Sequence, residues 1–495
     1  MSSEILINSN LREIRVALIE NNQLAELFIE HRTNRGIVGN IYKGKVVRTL
    51  PGMQSAFVDI GQTRAAFMHV TDLIDGHEVF EPQPDSETPA ITDFLCDGQD
   101  ILVQVTKEPI NKKGARITSN LSIASRFLVY LPDSSHIGIS QKIDAEEERV
   151  RLRDIVVELS TEDEGFIVRT AAKGSPGEEI VKDAGYLRAR WQSIQEDGRS
   201  ASSASLVYED LPLPLRVMRD IINSETTSIL VDDEDTYKIM NRFLSDFIPE
   251  KQVCLTMCDR DRVLFDLYQL DDQIEAALDR NVPLKSGGYL TIDQTEAMTT
   301  IDVNTGAFVG RKDLEETIYR TNVEASAVIP RQLRLRNLGG IIIIDFIDMV
   351  DEEHKRQVLR MLEKGLLSDR VKCNVTPISE LGLVEMTRKR THGSLLKTMC
   401  EPCEVCEGRG FIKSAESVCL EIFKDLQSTS QNLLGKECLI MASQTVVDQL
   451  IDEQAENIRS LAEMINASIC YQVEPGYSQE QYDIVISMAD ESQAS

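Results

Sequence analysis

Apolar and polar residues alternate along the first 35 residues of the chain. The pattern "EIRVALIENNQLAELFIEH" continues on both sides of Asn21-Asn22, which predicts two strands joined by a hairpin turn. From Gly36 onward the chain consists of short β-like segments separated by regular glycines, and "ILVQVTKEP" adds a further strand. These short strands predict a small closed or partly closed barrel. The acidic, proline-bearing stretch 81–93 predicts a long surface loop.

The middle of the chain mixes strand and helix patterns. The segments "FLVYLP" and "GFIVRTAA" are β-like and flank a charged helix predicted over 144–159. A helical region at 188–196 is followed by residues 196–205, "EDGRSASSAS", whose composition is typical of a flexible linker. The segment "PLPLRVMRDII" then begins another helix.

From Lys285 onward the pattern is that of an α/β module. The strand-like "GGYLTIDQTEAMTTIDVNTG" precedes a helix predicted over 313–337, bent or interrupted at Pro330 and ended by Gly339-Gly340. A buried strand, "IIIIDF", and a helix, "DEEHKRQVLRMLEKGL", follow. The cysteines of residues 400–406 mark a boundary before a small α/β region with an acidic tail.

Length and composition place the chain among large intracellular proteins. Its 495 residues predict three domains or more. No apolar run approaches the ~20 residues of a membrane span, and the polar N-terminus does not resemble a secretory signal. Ten cysteines in so long a chain do not have the density of a secreted disulfide scaffold. We therefore expect a protein of the reducing cytoplasm that does not enter a membrane.

The charge excludes one class of nucleic-acid-binding protein. With 53 Lys and Arg against 81 Asp and Glu, the net charge is −28, the wrong sign for a protein that coats nucleic acid with its whole surface. Residues 280–400, however, hold 18 basic against 16 acidic residues. A polyanionic substrate is thus still possible in one part of the molecule.

Asp302 and Asp345 are the sharpest candidate pair. Each ends an apolar, β-like run, "AMTTID" and "IIIID", and two carboxylates that meet at strand ends form an oxygen site suited to Mg²⁺. Asn304 and Asp348 follow in the same loops. The alternative is that each aspartate only caps a turn. Basic residues near the pair in sequence favour metal-dependent phosphate chemistry: Arg311, Lys312, Arg331, Arg334 and Arg336.

The run Cys400-Glu-Pro-Cys403-Glu-Val-Cys406 is a candidate zinc site. One Cys-x-x-Cys supplies two thiolates, whereas structural zinc takes four ligands. The same motif in a second subunit could complete a four-cysteine site on a two-fold axis. The alternative is a reduced or redox-active thiol cluster.

Aromatic and basic residues mark the predicted barrel. Phe57 and Phe67 could stack on nucleobases or could be core residues, and Tyr42, His69, Lys43, Lys45 and Arg48 lie near them in sequence. Lys112 and Lys113 could add phosphate contacts.

Arg169 and Thr170 end the strand of "GFIVRTAA". A guanidinium and a hydroxyl there could hold a terminal phosphate, although an arginine at a strand end is more often a solvated surface group.

Five motifs in order, "GNIYKGKVVRTLPGMQSAFVDIG", "GFIVRTAA", "IDVNTG", "LRLRNLGGIIIIDFIDM" and "CEVCEGRG", resemble the ribonuclease E/G family of bacterial endoribonucleases over nearly the whole chain. The resemblance is closer to the ribonuclease G branch, because the chain ends without the long disordered scaffold that ribonuclease E carries. A truncated ribonuclease E is the rival within the family.

The resemblance implies a multidomain α/β architecture. It consists of an RNase H-like fold with an inserted S1 barrel of the OB type and a 5′-sensor, a DNase I-like catalytic domain, a zinc-link and a small C-terminal domain. The implied ranges are 1–35 and 214–280 for the RNase H-like parts, 36–120 for S1, 121–213 for the sensor, 281–399 for the catalytic domain, 400–414 for the zinc-link and 415–495 for the small domain.

The resemblance also implies roles for individual residues. Asp302, Asn304 and Asp345 match the active-site positions, and the two aspartates match the Mg²⁺ ligands. Arg169 and Thr170 match a pocket for a 5′-monophosphate, which favours the functional alternative there. Further matches are Phe57, Phe67 and Lys113 for single-stranded RNA, and Cys403 and Cys406, with Cys400 as a third candidate, for Zn²⁺ shared between subunits.

The implied activity is Mg²⁺-dependent hydrolysis of single-stranded A/U-rich RNA, stimulated by a 5′-monophosphate and leaving 5′-phosphate ends. By resemblance, such an enzyme is a homodimer or higher homo-oligomer that matures the 5′ end of 16S ribosomal RNA from its precursor and takes part in transfer-RNA processing and messenger decay. The rival of another class is a non-catalytic RNA-binding or ribosome-assembly protein.

Overall fold

A computed structural model describes most of the chain: residues 3–33, 35–73, 90–109, 113–161, 163–222, 226–247, 254–258, 264–306, 314–379, 381–391, 393–429, 436–452 and 454–487. The chain divides into two compact units, Met1–Thr398 and Met399–Ser495. Within the described ranges, no helix has the length and apolar character needed to cross a membrane.

The first unit begins with a five-stranded mixed sheet. Its strands, in the spatial order β15-β14-β1-β2-β3, are β1 (Ser3–Ser9), β2 (Glu13–Glu20), β3 (Gln23–His31), β14 (Thr226–Val231) and β15 (Cys254–Met257). The first three are antiparallel, which confirms the hairpin prediction, and β14 and β15 run parallel to β1. The core on one face includes α4 (Leu213–Asp220) and α5 (Glu234–Phe247), and that on the other includes α6 (Leu270–Leu278).

Five short strands form a closed barrel, as the glycine-punctuated segments predict. They are β4 (Ile41–Leu50), β5 (Ser55–Asp59), β6 (Ala66–His69), β7 (Asp100–Lys107) and β8 (Arg116–Thr118). The barrel closes because β4 pairs with both β5 and β7. The short helix α1 (Ile91–Phe94) contributes to the barrel core, and β13 (Ser205–Tyr208) pairs with β4 from outside.

A small four-stranded sheet lies between the barrel and β13 in sequence. Its order is β11-β12-β10-β9, with β9 (Ile123–Ala124), β10 (Leu128–Pro132), β11 (Ile137–Ile139) and β12 (Glu164–Val168). Helices α2 (Glu146–Leu159) and α3 (Gly177–Ser200) share its core.

The largest α/β module of the first unit has a six-stranded sheet. In the order β16-β17-β18-β19-β21-β20, its strands are β16 (Asn281–Pro283), β17 (Tyr289–Gln294), β18 (Met298–Asn304), β19 (Gly340–Asp345), β20 (Cys373–Val375) and β21 (Leu383–Arg388). Helices α7 (Leu314–Leu335) and α8 (Glu352–Leu366) pack on one face. The short helix α9 (Leu395–Met399) lies where the two units divide.

The second unit is a three-stranded sheet with helices. Its strands, β22 (Glu437–Ala442), β23 (Ser468–Val473) and β24 (Tyr482–Ser487), have the order β23-β22-β24. The helices are α10 (Ala415–Ser428), α11 (Gln444–Asp452) and α12 (Ala455–Ile465). This agrees with the small α/β region predicted after the cysteines.

Three local predictions differ from the structure or lie outside it. The linker predicted at 196–205 is wrong for its first half, because α3 continues to Ser200, where Gly198 leaves room for Leu102. Pro330 does not interrupt α7, which is a single helix around it. Most of the predicted loop 81–93 lies outside the described residues, and its end forms α1.

Candidate functional site

The six-stranded sheet has one covered face and one open face. Buried and more exposed side chains alternate along β17, β18, β19 and β21. The buried set packs against α7 and α8. Asp302, Asn304 and Asp345 belong to the opposite set, since successive side chains on a strand point to opposite faces. A substrate that reaches these side chains therefore lies across the open face.

Asp302 and Asp345 are register partners on the parallel strands β18 and β19. Neighbouring strands lie about 4.8 Å apart and their register partners share a face, so the two exposed carboxylates are adjacent. Desolvation raises the pKa of Asp345, and the negative charges of Asp302 and Asp348 raise it further. The prediction that two strand-end acids meet is consistent with this geometry, which concentrates negative charge where a cation would bind.

Two asparagines form hydrogen bonds at the acid pair, one to an aspartate and one to the loop that follows the other. Asn304 donates from Nδ2 to Asp302 Oδ2 at 2.8 Å. Asn322, fully buried in α7, donates to the Ile347 carbonyl at 2.7 Å and accepts from the Ile347 N–H at 3.1 Å. This two-point clamp fixes the loop that follows Asp345. Sequence analysis missed Asn322, although its spacing before the buried apolar residues of α7 is the helical period of an inward-facing position.

Arg334, one of the basic residues near the acid pair in sequence, is engaged elsewhere in the protein. The side chain is buried and forms ion pairs with Glu20 at 2.7 Å and with Glu26 at 2.8 Å. These carboxylates belong to β2 and β3 of the first sheet. Arg334 therefore joins α7 to another part of the unit rather than binding substrate.

Arg336 is likewise engaged inside the protein. It is buried and donates to the backbone carbonyl of Asp279 at 2.5 Å. Burial lowers the pKa of Arg331, which is partly covered. Arg311 and Lys312 lie outside the described residues.

A row of register partners crosses the barrel surface. Phe57 on β5 pairs with Phe67 on β6, and their rings meet edge to face with centroids 6.0 Å apart. Arg48 pairs with Phe57 on one side, and Arg116 pairs with Phe67 on the other. Phe57 is 37% exposed, and neither ring belongs to the barrel core. The row places two aromatic rings between two guanidinium-bearing positions.

The other barrel residues considered as nucleic-acid contacts lie outside this row. Tyr42 is buried in the barrel core, so it is not available to stack on a base. His69 Nδ1 accepts the Thr71 N–H at 3.3 Å and caps a short helical turn. Lys113 is exposed, whereas Lys112 lies outside the described residues.

Arg169 and Thr170 follow β12 and are both engaged by neighbours. Arg169 donates from Nη1 to the Ser125 carbonyl at 2.6 Å and from Nη2 to Asp220 Oδ1 at 2.5 Å. The Thr170 hydroxyl lies 2.9 Å from the Ser140 hydroxyl. The guanidinium is thus held in one orientation and is not a freely solvated surface group.

Asp220 lies between two arginines. Arg219 donates to both of its carboxylate oxygens, at 3.1 and 3.0 Å, and Arg169 shares one of them. Burial would raise the pKa of Asp220, but the hydrogen bond and charge of Arg219, together with Arg169, hold it below its ordinary value. Arg219 also forms an ion pair with Asp210 at 3.3 Å, so the two arginines of the cluster are paired with two carboxylates. Sequence analysis missed Arg219 and Asp220, because nothing in a helical segment indicates a distant partner.

Cys403 and Cys406 form a turn in the second unit. Glu407 N–H donates to the Cys403 carbonyl at 2.7 Å and Arg409 N–H to the Cys406 carbonyl at 2.8 Å. The backbone N–H groups of Gly410 and Gly408, and a hydrogen bond with Cys403, lower the pKa of the Cys406 thiol. This environment favours the thiolate, which is the form that binds metal.

The described part of the chain contains no group of three or more His, Cys, Asp or Glu side chains arranged to hold a metal ion. Cys400 is exposed and does not complete such a group with Cys403 and Cys406.

Known proteins match the chain along most of its length. Residues 122–391 match the model of the Ribonuclease E/G family, and residues 402–487 match that of the RNase E/G, Thioredoxin-like domain. Ribonuclease G of Escherichia coli (strain K12) is 46% identical over 488 residues, covering 98% of this chain and 100% of that protein. Ribonuclease G of Haemophilus influenzae is 45% identical over 486 residues, covering 98% of this chain and 99% of that protein.

A longer relative matches along part of its own length. Ribonuclease E of Escherichia coli (strain K12) is 33% identical over 462 residues, covering 92% of this chain but 43% of that protein. The first family model alone spans more than half of the 495 residues. On these matches, the chain belongs to the ribonuclease E/G family.

Proposed function

We propose that this chain is an endoribonuclease of the ribonuclease G type that cuts single-stranded RNA at Asp302 and Asp345. The observation that carries the proposal is the register pairing of the two aspartates on the open face of the six-stranded sheet. Two like charges side by side disfavour each other's ionisation, a cost that a protein which only binds RNA has no reason to bear. The 46% identity to a ribonuclease G supports the same activity.

The residues at the acid pair fit a divalent cation. Mg²⁺ is commonly held by one or two carboxylates and keeps several water molecules, which agrees with the two adjacent aspartates. A bound Mg²⁺ would supply a polarised phosphate and a water of lowered pKa. The chain's own part is to keep both carboxylates directed at one point: Asn304 orients Asp302, and Asn322 fixes the loop after Asp345. Hydrolysis that breaks the bond between the phosphorus and the 3′ oxygen leaves a 5′-phosphate and a 3′-hydroxyl.

The barrel row is the proposed grip on single-stranded RNA. Phe57 and Phe67 offer ring surface on which unpaired bases stack. Arg48 is positioned beside Phe57 to contact phosphates, whereas the Arg116 guanidinium already forms an ion pair with Asp72. Lys113 is exposed and is a further proposed contact. Stacking needs unpaired bases, so A/U-rich RNA with little structure suits this surface. The closed five-stranded barrel supports its assignment as an S1 domain of the OB type.

Arg169 and Thr170 are the proposed pocket for a 5′-monophosphate. An arginine can hold phosphate through two parallel hydrogen bonds. Because Arg169 is already bonded to Asp220 and to the Ser125 carbonyl, its orientation is fixed before RNA arrives. The fixed guanidinium, next in sequence to the hydroxyl-bearing Thr170, supports anion binding there.

Cys403 and Cys406 are the proposed zinc ligands of one subunit. They supply two thiolates of the four ligands that structural Zn²⁺ takes, so the same pair from a second copy would complete the site. This implies a homodimer or a larger homo-oligomer joined at the zinc-link.

Family membership supports the architecture and biological role that we propose. The strand order of the first sheet supports an RNase H-like fold, and the six-stranded sheet corresponds to the DNase I-like catalytic domain. The domain ranges given above, a cytoplasmic location, and roles in 16S ribosomal RNA maturation, transfer-RNA processing and messenger decay are part of the same proposal.

The test is cleavage of a short A/U-rich RNA that bears either a 5′-monophosphate or a 5′-hydroxyl, in Mg²⁺ and in EDTA. We expect cutting that requires Mg²⁺ and is faster with the monophosphate, with 5′-phosphate ends on the downstream product. Binding without cutting would instead identify a non-catalytic RNA-binding protein and overturn the proposal.

A further inference from the structure

The open face of the six-stranded sheet carries more than the acid pair. Met298 and Ile341 are register partners and are 36% and 46% exposed, and Tyr289 on β17 is 37% exposed. Tyr289 is the one aromatic side chain on this face among the described strand residues of the sheet. Exposed strand positions are usually polar, so a partly exposed tyrosine beside the aspartates requires an explanation.

The register fixes the position of Tyr289 relative to the acid pair. Tyr289 is the partner of Asn304, and Thr291, two residues further along β17, is the partner of Asp302. Tyr289 and Asp302 are therefore diagonal neighbours on one face, about 7–8 Å apart and within reach of an aromatic side chain. Phosphate and base within one nucleotide, or between adjoining nucleotides, are separated by a similar span.

The backbone that follows β18 packs beside the Tyr289 ring. A Cβ at Gly306 would lie 3.5 Å from Tyr289 Cδ1, so the ring lies next to a glycine that presents no side chain. Gly306 has a φ of +59°, a conformation that glycine adopts readily. The ring is thus supported by the chain directly after β18, at the end of the sheet that carries Asp302.

We propose that Tyr289 forms a subsite for one nucleobase next to the scissile phosphate. The inference rests on the proposed endoribonuclease function and names a substrate contact of that same site. With a phosphate at Asp302 and Asp345, a neighbouring base is directed over β17, where the Tyr289 ring can stack on it. Every base has a π-face, so this subsite requires the presence of a base more than its identity. It thereby holds the scissile nucleotide in register with the aspartates.

The test combines protein variants with substrates that lack single bases. Full-length wild type, Tyr289→Ala and Tyr289→Phe are compared on one short RNA with a single cut site. In a series of substrates, one nucleotide at a time among the three on each side of the cut is replaced by an abasic ribose. An abasic position far from the cut is the substrate control, and thermal unfolding checks that each variant folds.

The free energy of stacking on one base predicts a roughly five- to hundredfold loss of kcat/KM for Tyr289→Ala on the complete substrate. Tyr289→Phe keeps an aromatic ring and should stay within about twofold of wild type. One flanking abasic position should slow wild type by a similar factor and leave Tyr289→Ala with no further loss. Two results would overturn the Tyr289 subsite while leaving the proposed function in place. In one, Tyr289→Ala loses the same factor in kcat/KM relative to wild type on every abasic substrate; in the other, it loses no activity on the complete substrate. Wild type that cuts no RNA would overturn the proposed function, and this inference with it.

Discussion

The acid pair and the Arg169 cluster are charged sites built in opposite ways. At the acid pair, Asp302 and Asp345 bring like charges together, and the pKa of Asp345 rises by desolvation and by the nearby negative charges. At the other site, Asp220 lies between Arg169 and Arg219, and its pKa is held below the ordinary value. The first arrangement is uncompensated before a ligand binds, whereas the second is largely neutralised within the protein.

Because of this difference, removing a carboxylate should affect function at one site and folding stability at the other. A like-charge pair contributes nothing to folding, so its loss should abolish cation binding without destabilising the protein. A charge that bridges two arginines is part of the fold, so its loss should destabilise the protein even when no RNA is present. The two sites therefore predict opposite responses to removal of one carboxylate.

Among the effects that compare the two sites, the largest is expected on divalent-cation binding by Asp302→Asn. Loss of partners that only support a metal ligand costs 10–100-fold in affinity, so loss of a ligand should weaken Mn²⁺ binding by at least about a hundredfold, as measured by calorimetry or electron paramagnetic resonance. The unfolding temperature should not fall, because repulsion is relieved. Asp293→Asn is the matched control, since Asp293 lies on the same face but pairs with Arg280. Unchanged Mn²⁺ affinity in Asp302→Asn would contradict the assignment.

The next effect concerns the 5′ end of the RNA. Hydrogen bonds to charged groups contribute about 1.5–3 kcal/mol, so Arg169→Ala should reduce the advantage of 5′-monophosphate over 5′-hydroxyl RNA by roughly ten- to hundredfold. The rate on 5′-hydroxyl RNA should not change. Arg153→Ala, an exposed arginine on α2, serves as control. A variant that keeps the full monophosphate advantage would remove Arg169 from the pocket.

A smaller effect is expected on the free energy of unfolding, which should fall at one site and not at the other. Asp220→Ala removes the acceptor shared by Arg169 and Arg219, so the free energy of unfolding in urea should fall by about 1–2 kcal/mol. Asp302→Asn should show no such fall. Equal destabilisation by both substitutions would mean that the two sites do not differ as described.

The smallest effect is a pH dependence near the Arg169 pocket. Glu148 on α2 accepts the Gly174 N–H at 2.8 Å, in the loop that follows Thr170. The hydrogen bond from Arg151, followed by that from Gly174, lowers the pKa of Glu148 from 4.5 to about 2. The ionised Glu148 carboxylate therefore stabilises the folded loop fully above about pH 4.5, and this contribution is lost as the pH falls through about 2.

Hydrogen exchange at the Gly174 amide measures this directly. Protection should be constant above pH 5, fall progressively below pH 4.5, and be independent of pH in Glu148→Gln, whose amide oxygen still accepts a hydrogen bond but does not titrate. Glu158→Gln on the same helix should behave like wild type. A protection that does not vary with pH in wild type would contradict the role of the ionised Glu148 carboxylate in holding the Gly174 amide.

Sequence alone could predict the acid pair because each aspartate ends an apolar run of strand length. It could not establish that the two strands are parallel neighbours in register, which depends on non-local pairing across the helix between them. The barrel was predictable for a similar reason, since short strands and glycines are local signals. That Phe57 and Phe67 lie on its surface while Tyr42 is in its core depends on strand register.

Arg334 and Arg336 do not support phosphate chemistry as their place in the sequence suggested, and the reason is physical. Local charge indicates that a segment contains cations, but it does not indicate which helix face packs against another module. Arg334 is buried because Glu20 and Glu26 on a distant hairpin neutralise it. Asp220 and Asn322 escaped prediction for the same reason, since Arg169 and Ile347, which they contact, are far away in the sequence.

The central claim is that Asp302 and Asp345 form the centre that cuts RNA. The most direct test is the single-turnover cleavage rate of one short A/U-rich RNA in saturating Mg²⁺, measured for wild type, Asp302→Asn and Asp293→Asn. Because a bound metal supplies several kcal/mol of charge stabilisation, Asp302→Asn should be slower by at least about a thousandfold, while Asp293→Asn stays near wild type. Cleavage by Asp302→Asn at the wild-type rate would contradict the account.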